Sequence, residues 1–331
     1  MPEQIAVLGA GNMGTALAQV LAGNGHAVRA WSIEEDVLAE IRDAHRNTKY
    51  LEGIDLHSNI EAVWELARAV EGAAVVVFGV PSQVVARMAS DVKPHVVPGQ
   101  IILNVAKGLE AGTHARMSEV ILRELGGGFR PWVGSMGGPA IAIEMARGVP
   151  MAVIAGLLDA GCRSRVQSLL QNNHLKVQTT DDLAGLELCS TLKNVYAIAL
   201  GMCDGLGFGT NTKAFLASLA LEEMCEISSV LGGRQDTVYG LAGVGDLLTT
   251  GYSQHSRNRT LGEKLGAGGD WRGFLETHTV EGAVACRALY EVLEDKATVR
   301  AHLLETIYES LFEDRPAPEA LRHFFLEFTY D

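Results

Sequence analysis

The chain is 331 residues long, which at roughly 150 residues per domain leaves room for about two domains. Hydrophobic residues make up 47% and charged residues 20%, a globular balance that excludes a disordered or collagen-like chain. The 27 Lys+Arg against 40 Asp+Glu leave a net charge of −13, a field that repels phosphate backbones and anionic lipid and argues against nucleic-acid binding.

In chain order, an apolar run at 5–8 meets Gly9-Ala10-Gly11-Asn12-Met13-Gly14 and then a helical pattern over 15–22. A GxGxxG between a strand and a helix is the dinucleotide-binding pattern. Its first glycine makes the tight turn, the second lets backbone approach a pyrophosphate, and the third lets helix and strand pack closely. The helix start then offers N–H groups to the phosphates. A weaker strand is expected at 26–31. An acidic residue at its end would bind a ribose 2′-hydroxyl, but Ser32 stands there, with Glu34 and Glu35 later and Arg29 earlier. NAD and NADP both stay open.

Helical patterns follow over 35–46 and 60–70, a strand over 73–78, and the turn Gly79-Val80-Pro81-Ser82. Next come a helix over 83–90, a strand over 101–105, a helix over 115–125, the turn Gly137-Gly138-Pro139 and a strand over 151–154. Continuous Val/Ile/Leu strands alternating with helices predict an α/β fold, a doubly wound parallel sheet of Rossmann type. Ligands of such sheets bind at the strand ends, where Lys107 stands in Val105-Ala106-Lys107-Gly108-Leu109.

From about Asp181 strands stop and helical patterns take over, at 183–202, 212–231, 280–293 and 301–312. The expected organisation is a dinucleotide-binding domain over 1–180 and an all-helical substrate or catalytic domain over 181–331. Lys193 and Asn194 interrupt the apolar helix ELCSTLKNVYAIALGM. Burying an ammonium is costly unless it is paired or functional, so a proton-donating role outweighs a lysine snorkelling to water. Asp204-Gly205-Leu206-Gly207-Phe208-Gly209 is a second glycine-rich turn. A third, Gly243 to Thr250, carries Asp246 as a carboxylate partner for a lysine. Ser256-Arg257-Asn258-Arg259 gathers two guanidinium groups suited to an anion clamp, although a solvated turn is the commoner fate of such a segment.

The five cysteines, Cys162, Cys189, Cys203, Cys225 and Cys286, are odd in number and form no CxxC, which argues for a reducing compartment. No HExxH and no His–Cys ligand spacing occurs, so no metal is expected. The start MPEQIAVLGAG lacks a basic n-region, and the longest apolar stretch, 188–202, is broken by Lys193. A soluble cytoplasmic protein without integral membrane contact is the expectation.

Taken in order, GAGNMGTALA, VPSQ, AKGLE, LKNVYAIALGMCDGLGFGTN, LAGVGDLLTT, SRNR and VEG resemble the NAD(P)-dependent glycerol-3-phosphate dehydrogenase family over nearly the whole chain. The resemblance implies reversible hydride transfer between NAD(P)H and dihydroxyacetone phosphate to give sn-glycerol 3-phosphate, a glycerophospholipid precursor. It implies Lys193, Lys107, Asp246 and Thr250 as catalytic residues. Gly9, Gly11, Asn12, Met13, Gly14, Pro81, Ala140, Arg257 and Glu281 would bind NAD or NADP, and Lys107, Lys193, Gly138, Arg257 and Asn258 the small phosphorylated substrate. A homodimer is implied as well.

The chain also departs from the family pattern. Gly137-Gly138-Pro139-Ala140-Ile141 replaces the usual Ser-Gly-Pro followed by Ser/Thr and Phe, and Asn12-Met13 replaces Ser-Trp. The helix after DGLGFG lacks the family's arginine and reads Ala217-Ser218-Leu219-Ala220. Two alternatives therefore stand beside the main reading: a related dehydrogenase of another small anionic ketone/alcohol pair, and an inactive nucleotide-sensing relative.

Overall fold

The computed structural model describes residues 1–294 and 299–329. It divides into two compact units, Met1–Lys107 with Ala115–Leu183, and Gly108–His114 with Ala184–Asp331. The segment Gly108–His114, counted with the first domain from the sequence, thus groups with the second unit, where His114 Nε2 lies 2.9 Å from Glu291.

The first unit runs β1 (Gln4–Leu8), α1 (Asn12–Gly23), β2 (Ala27–Trp31), α2 (Glu35–Ala44), β3 (Ile60–Val63), α3 (Leu66–Val70), β4 (Val75–Phe78), α4 (Val85–Val92), β5 (Ile101–Asn104), α5 (Met117–Leu125), β6 (Val133–Gly137), α6 (Ala142–Ala146), β7 (Met151–Leu157), α7 (Ala160–Leu170) and β8 (Leu175–Thr180). One eight-stranded sheet has the order β3-β2-β1-β4-β5-β6-β7-β8. Its central strands β1, β4 and β5 are apolar at nearly every position because both faces are covered. Ile5 and Val7 face a core shared with α1, α2 and α7, while Ala6 and Leu8 face one shared with α3, α4 and α5. Each Val, Ile or Leu so buried contributes about 1.5–3 kcal/mol.

Three local expectations needed correction. The helix expected over 60–70 is a strand and a short helix, β3 and α3: Ile60 and Ala62 turn to one core and Val63 to the other, a period of two, and β3 pairs with the otherwise open edge of β2. The strand β6 was hidden by its glycines. Gly134 is there because a Cβ would lie 2.3 Å from Leu157 Cγ on β7. The pairing of β6 with β7 is antiparallel, the exception in an otherwise parallel sheet, and β8, with polar residues on alternate positions, closes the edge.

The second unit is helical: α8 (Leu183–Gly205), α9 (Thr210–Val230), α10 (Gln235–Val238), α11 (Asp246–Tyr252), α12 (Arg257–Gly266), α13 (Trp271–Thr277), α14 (Glu281–Glu294), α15 (His302–Phe312) and α16 (Ala317–Glu327). Among the described residues no helix is long and apolar enough to cross a membrane. Helices α8 and α12 meet backbone to backbone. A Cβ on Gly201, Gly205, Gly262 or Gly266 would lie 2.0, 2.1, 1.9 or 2.3 Å from a carbonyl oxygen of the opposite helix. Two G-x-x-x-G stripes interlock, and nothing larger fits.

Glu223 on α9 is buried and accepts hydrogen bonds from Tyr196 Oη (2.8 Å) and the amides of Leu303 (2.7 Å) and Leu304 (3.2 Å). It thereby caps α15, whose own N-cap, Ala301, offers no side-chain acceptor. Burial pushes the Glu223 carboxyl up to about 8, against the pull of those three donors. The folded protein therefore keeps a proton that the unfolded chain has lost above the free value of 4.5. Stability should fall by about 1.4 kcal/mol per unit as pH rises through that window. Denaturant unfolding at pH 5 and 8 should show this loss, and Glu223→Gln should flatten it. An equal slope in that variant would refute the assignment.

Candidate active site

In the first unit the carboxyl ends of β1, β2, β4, β5 and β6 share one edge, and the strand order reverses between β1 and β4. The glycine loop leaves β1 at that point. Gly9 has φ 103°, in the left-handed region, and a Cβ there would lie 2.6 Å from the Gly79 oxygen. A Cβ on Gly14 would lie 2.0 Å from the Gly9 oxygen, and one on Gly79 would lie 3.1 Å from Gly14 Cα. Three backbones touch where no side chain fits.

Gly11 is different: a Cβ on it would meet nothing within 4 Å. It is also the N-cap of α1, with no side chain to satisfy the first amides of a 12-residue helix. Open room beside unsatisfied N–H groups is the cradle a pyrophosphate needs. The loop is braced by Asn47, fully buried, which donates to Ala10 O and Thr15 Oγ1, each at 2.8 Å.

The second unit holds the lysine. Lys193, on α8, keeps 7% of its side chain exposed and Asp246 2%, with Nζ 3.1 Å from Asp246 Oδ1. The same ammonium donates to Thr250 Oγ1 at 2.6 Å, and that hydroxyl lies 3.4 Å from Asp246 Oδ1. Asp246 and Thr250 are four residues apart and so share a face of α11. Two local features put that face against Lys193. A π-helical turn, Leu241–Gly245, leads into Asp246, and Gly251 lets α11 close on α8, since a Cβ there would lie 2.4 Å from Leu200 Cδ1.

The next residue, Asn194, organises a second group. Its Nδ2 donates to Glu281 (3.2 Å), and its Oδ1 accepts from Asn258 Nδ2 (2.9 Å). Asn258 Oδ1 accepts the Gly282 amide at 2.8 Å. Gly282 has no room for a side chain, because a Cβ would lie 2.3 Å from the Asn194 oxygen. A buried ammonium oriented by a hydroxyl and a carboxylate, beside a fixed amide network, can donate to an oxygen that gains negative charge.

Comparison with known proteins decides the family. Residues 4–162 match the model of the NAD-dependent glycerol-3-phosphate dehydrogenase N-terminus, and residues 182–322 that of its C-terminus. The chain belongs to the NAD-dependent glycerol-3-phosphate dehydrogenase family. It is 36% identical over 321 residues to glycerol-3-phosphate dehydrogenase [NAD(P)+] of Clostridium perfringens, covering 96% of each chain. The Geobacillus kaustophilus enzyme of the same name is 38% identical over 325 residues, 96% of this chain and 93% of its own. The crystal structure of glycerol-3-phosphate dehydrogenase from Coxiella burnetii superposes with a TM-score of 0.90 at 33% identity, covering 99% of both chains.

Within this family member, the structure gathers Lys193, Asp246, Thr250, Asn258 and Glu281 in the second unit. Gly9, Gly11, Asn12, Met13 and Gly14 form the loop of the first unit. Pro81 follows β4, half-buried Lys107 follows β5, and Gly138 and Ala140 follow β6, all at the same sheet edge. Arg257 is exposed in the first turn of α12. Arg259 is not available for an anion clamp: its Nε donates to Asp204 at 2.8 Å, and its Nη1 lies 3.3 Å from Glu263.

Sequence reading gave no role to Asn194, although its place beside a buried lysine was a signal. It also missed Lys213, which pairs with Asp204 at 2.7 Å and joins α8, α9 and α12 with Arg259. Of the two positions where the family arginine is absent, Leu219 is buried and Ser218 is exposed, donating to Ala214 O at 3.1 Å.

Proposed function

We propose that this chain carries out its family's reaction, the reversible reduction of dihydroxyacetone phosphate to sn-glycerol 3-phosphate. The observation that carries the reading is the buried Lys193 ammonium held by Thr250 and Asp246. NAD(P)H, with its pyrophosphate at Gly9, Gly11 and Gly14, supplies the hydride when bound. Lys193 donates toward the carbonyl oxygen, where charge develops as the ketone becomes an alcohol. Asp246, 3.1 Å away, is the partner that offsets the cost of burying the ammonium. Thr250 fixes its direction, Asn194 holds Asn258 for the substrate, and Glu281, which accepts from Asn194, serves the cofactor.

Arg257 takes the phosphate, Lys107 serves as a further polar catalytic residue, and Gly138, Pro81 and Ala140 line the sheet-edge turns of the first unit. Asn12 and Met13 stand at the helix start beside the pyrophosphate. The chain acts in the cytoplasm, a reading supported by five buried free cysteines. It acts as a homodimer, supported by the family and by exposed apolar side chains of the helical unit such as Tyr239 and Leu248. Sedimentation measures that assembly.

A spectrophotometric assay of NADH and NADPH against a panel of small phosphorylated and carboxylated ketones tests the reading. Dihydroxyacetone phosphate should be turned over fastest, and rapid turnover of another ketone alone would overturn the substrate. Arg257→Ala should raise KM for dihydroxyacetone phosphate by about ten- to a hundredfold, as one charged hydrogen bond is lost. Because the clamp acts in ground and transition states alike, kcat should change little. An unchanged KM would move Arg257 out of the substrate site.

A further inference from the structure

The reading above leaves the choice of cofactor open, and the present inference rests on it. NADP differs from NAD by a phosphate on the adenosine ribose, and in a sheet of this order that ribose lies beyond the carboxyl end of the second strand. At that end stand Trp31, Ser32, Ile33 and Glu34, leading into α2. Ser32 Oγ is turned back to accept the Glu34 amide at 3.1 Å. Ile33 is 83% exposed, an apolar surface suited to the flat face of an adenine.

Glu34 is the N-cap of α2, yet its carboxylate takes no hydrogen bond from the amides of that helix. It turns instead to Lys49 and Tyr50, which both donate to it. The segment bearing these two donors is fixed in place: Asn47 ties it to the glycine loop, and Thr48 donates to Glu40 through its amide (3.0 Å) and its hydroxyl. The other cations of this region are engaged elsewhere. Arg29 donates to the carbonyls of Arg68 and Glu71 at 2.8 and 2.9 Å, Arg42 pairs with Asp43, Arg46 with Asp55 and Arg68 with Glu61.

We propose that Glu34, oriented by Lys49 and Tyr50, accepts the ribose 2′-hydroxyl, and that this chain binds NADH in preference to NADPH. An ionised carboxylate offers about four lone-pair sites, so two donors leave room for a sugar hydroxyl. A 2′-phosphate brings more negative charge to a carboxylate whose neighbouring lysine is already committed, and Arg29, Arg42, Arg46 and Arg68 are turned to other partners rather than to a bidentate grip on it.

Dissociation constants of NADH and NADPH for the full chain, measured by calorimetric titration without substrate, test this. Wild type should bind NADH at least about tenfold more tightly, the scale of one charged hydrogen bond. Glu34→Gln removes the charge and releases Lys49, so NADH should weaken, NADPH should tighten, and the preference should shrink by about tenfold or more. Equal or tighter NADPH binding by wild type, or a ratio unchanged in Glu34→Gln, overturns the preference while leaving the dehydrogenase reading standing. Binding of neither nucleotide overturns both.

Discussion

Lys193→Ala is expected to lower kcat by about 10²–10⁴, the scale of losing a positioned proton donor, while the affinity for nucleotide stays near wild type. The buried Lys193 ammonium lies 3.1 Å from Asp246, and α11 itself carries no arginine or lysine. Its removal also leaves the Asp246 carboxylate, 2% exposed, without that partner. A stability loss of about 3–5 kcal/mol should accompany the loss of turnover. The two effects separate experimentally. Steady-state kinetics are measured at a temperature where circular dichroism shows the variant folded, and nucleotide binding is titrated in the same sample. Near-normal turnover of dihydroxyacetone phosphate by folded variant would remove Lys193 from the chemistry and make the Lys193–Asp246 pair a structural one.

The second large effect is expected at a residue that touches no ligand. In Gly262→Val a Cβ would have to occupy a point 1.9 Å from the Ile198 oxygen, inside the backbone of α8. Neither partner is the flexible end of a side chain, so the helices must separate. The loss of stability should reach about 4 kcal/mol or more, beyond the range of ordinary point substitutions. Gly262→Ala should act in the same direction and less severely. Function should suffer with stability, because α12 carries Asn258, whose amide meets Asn194 at 2.9 Å one residue from Lys193. Denaturant unfolding gives the first quantity, and kcat of the alanine variant the second. An alanine variant as stable as wild type would mean that the α8–α12 approach is looser than the structure shows.

Much of this protein could be read without coordinates, for reasons that are local. GAGNMG between an apolar run and a helical pattern is recognised locally, since the tight turn at Gly9 and the packing of Gly14 on the Gly9 oxygen lie within one short segment, although the part Gly79 plays against Gly9 does not. The alternation of Val- and Ile-rich runs with helices was enough for a doubly wound sheet, because burial on both faces leaves a continuous apolar signature. The oddity of Lys193 inside an apolar helix was likewise visible, since the cost of burying an ammonium does not depend on knowing its partner.

What stayed hidden depended on partners distant in the chain. Residues 60–70 carry an apolar pattern that both a helix and a strand can use, and the open edge of β2 chose the strand for the first part. β6 was invisible because Gly134 is selected by Leu157 of another strand rather than by its own propensity. In SRNR the side chains of Arg257, Asn258 and Arg259 gave no sign of their separate fates. Only packing sends Asn258 to Asn194 and Arg259 to Asp204 and leaves Arg257 exposed. The same holds for Glu34, ambiguous in the sequence and given its direction by Lys49 and Tyr50 from the loop after α2. The sequence by itself determined most of the elements, the Rossmann half and the helical half among them, and which residue types are available for chemistry, because propensity, turn geometry and the cost of burial act over a few residues. Tertiary structure decided which polar groups face each other and where glycines are obligatory, because hydrogen bonding and steric exclusion are settled between atoms that only the fold brings within a few ångströms.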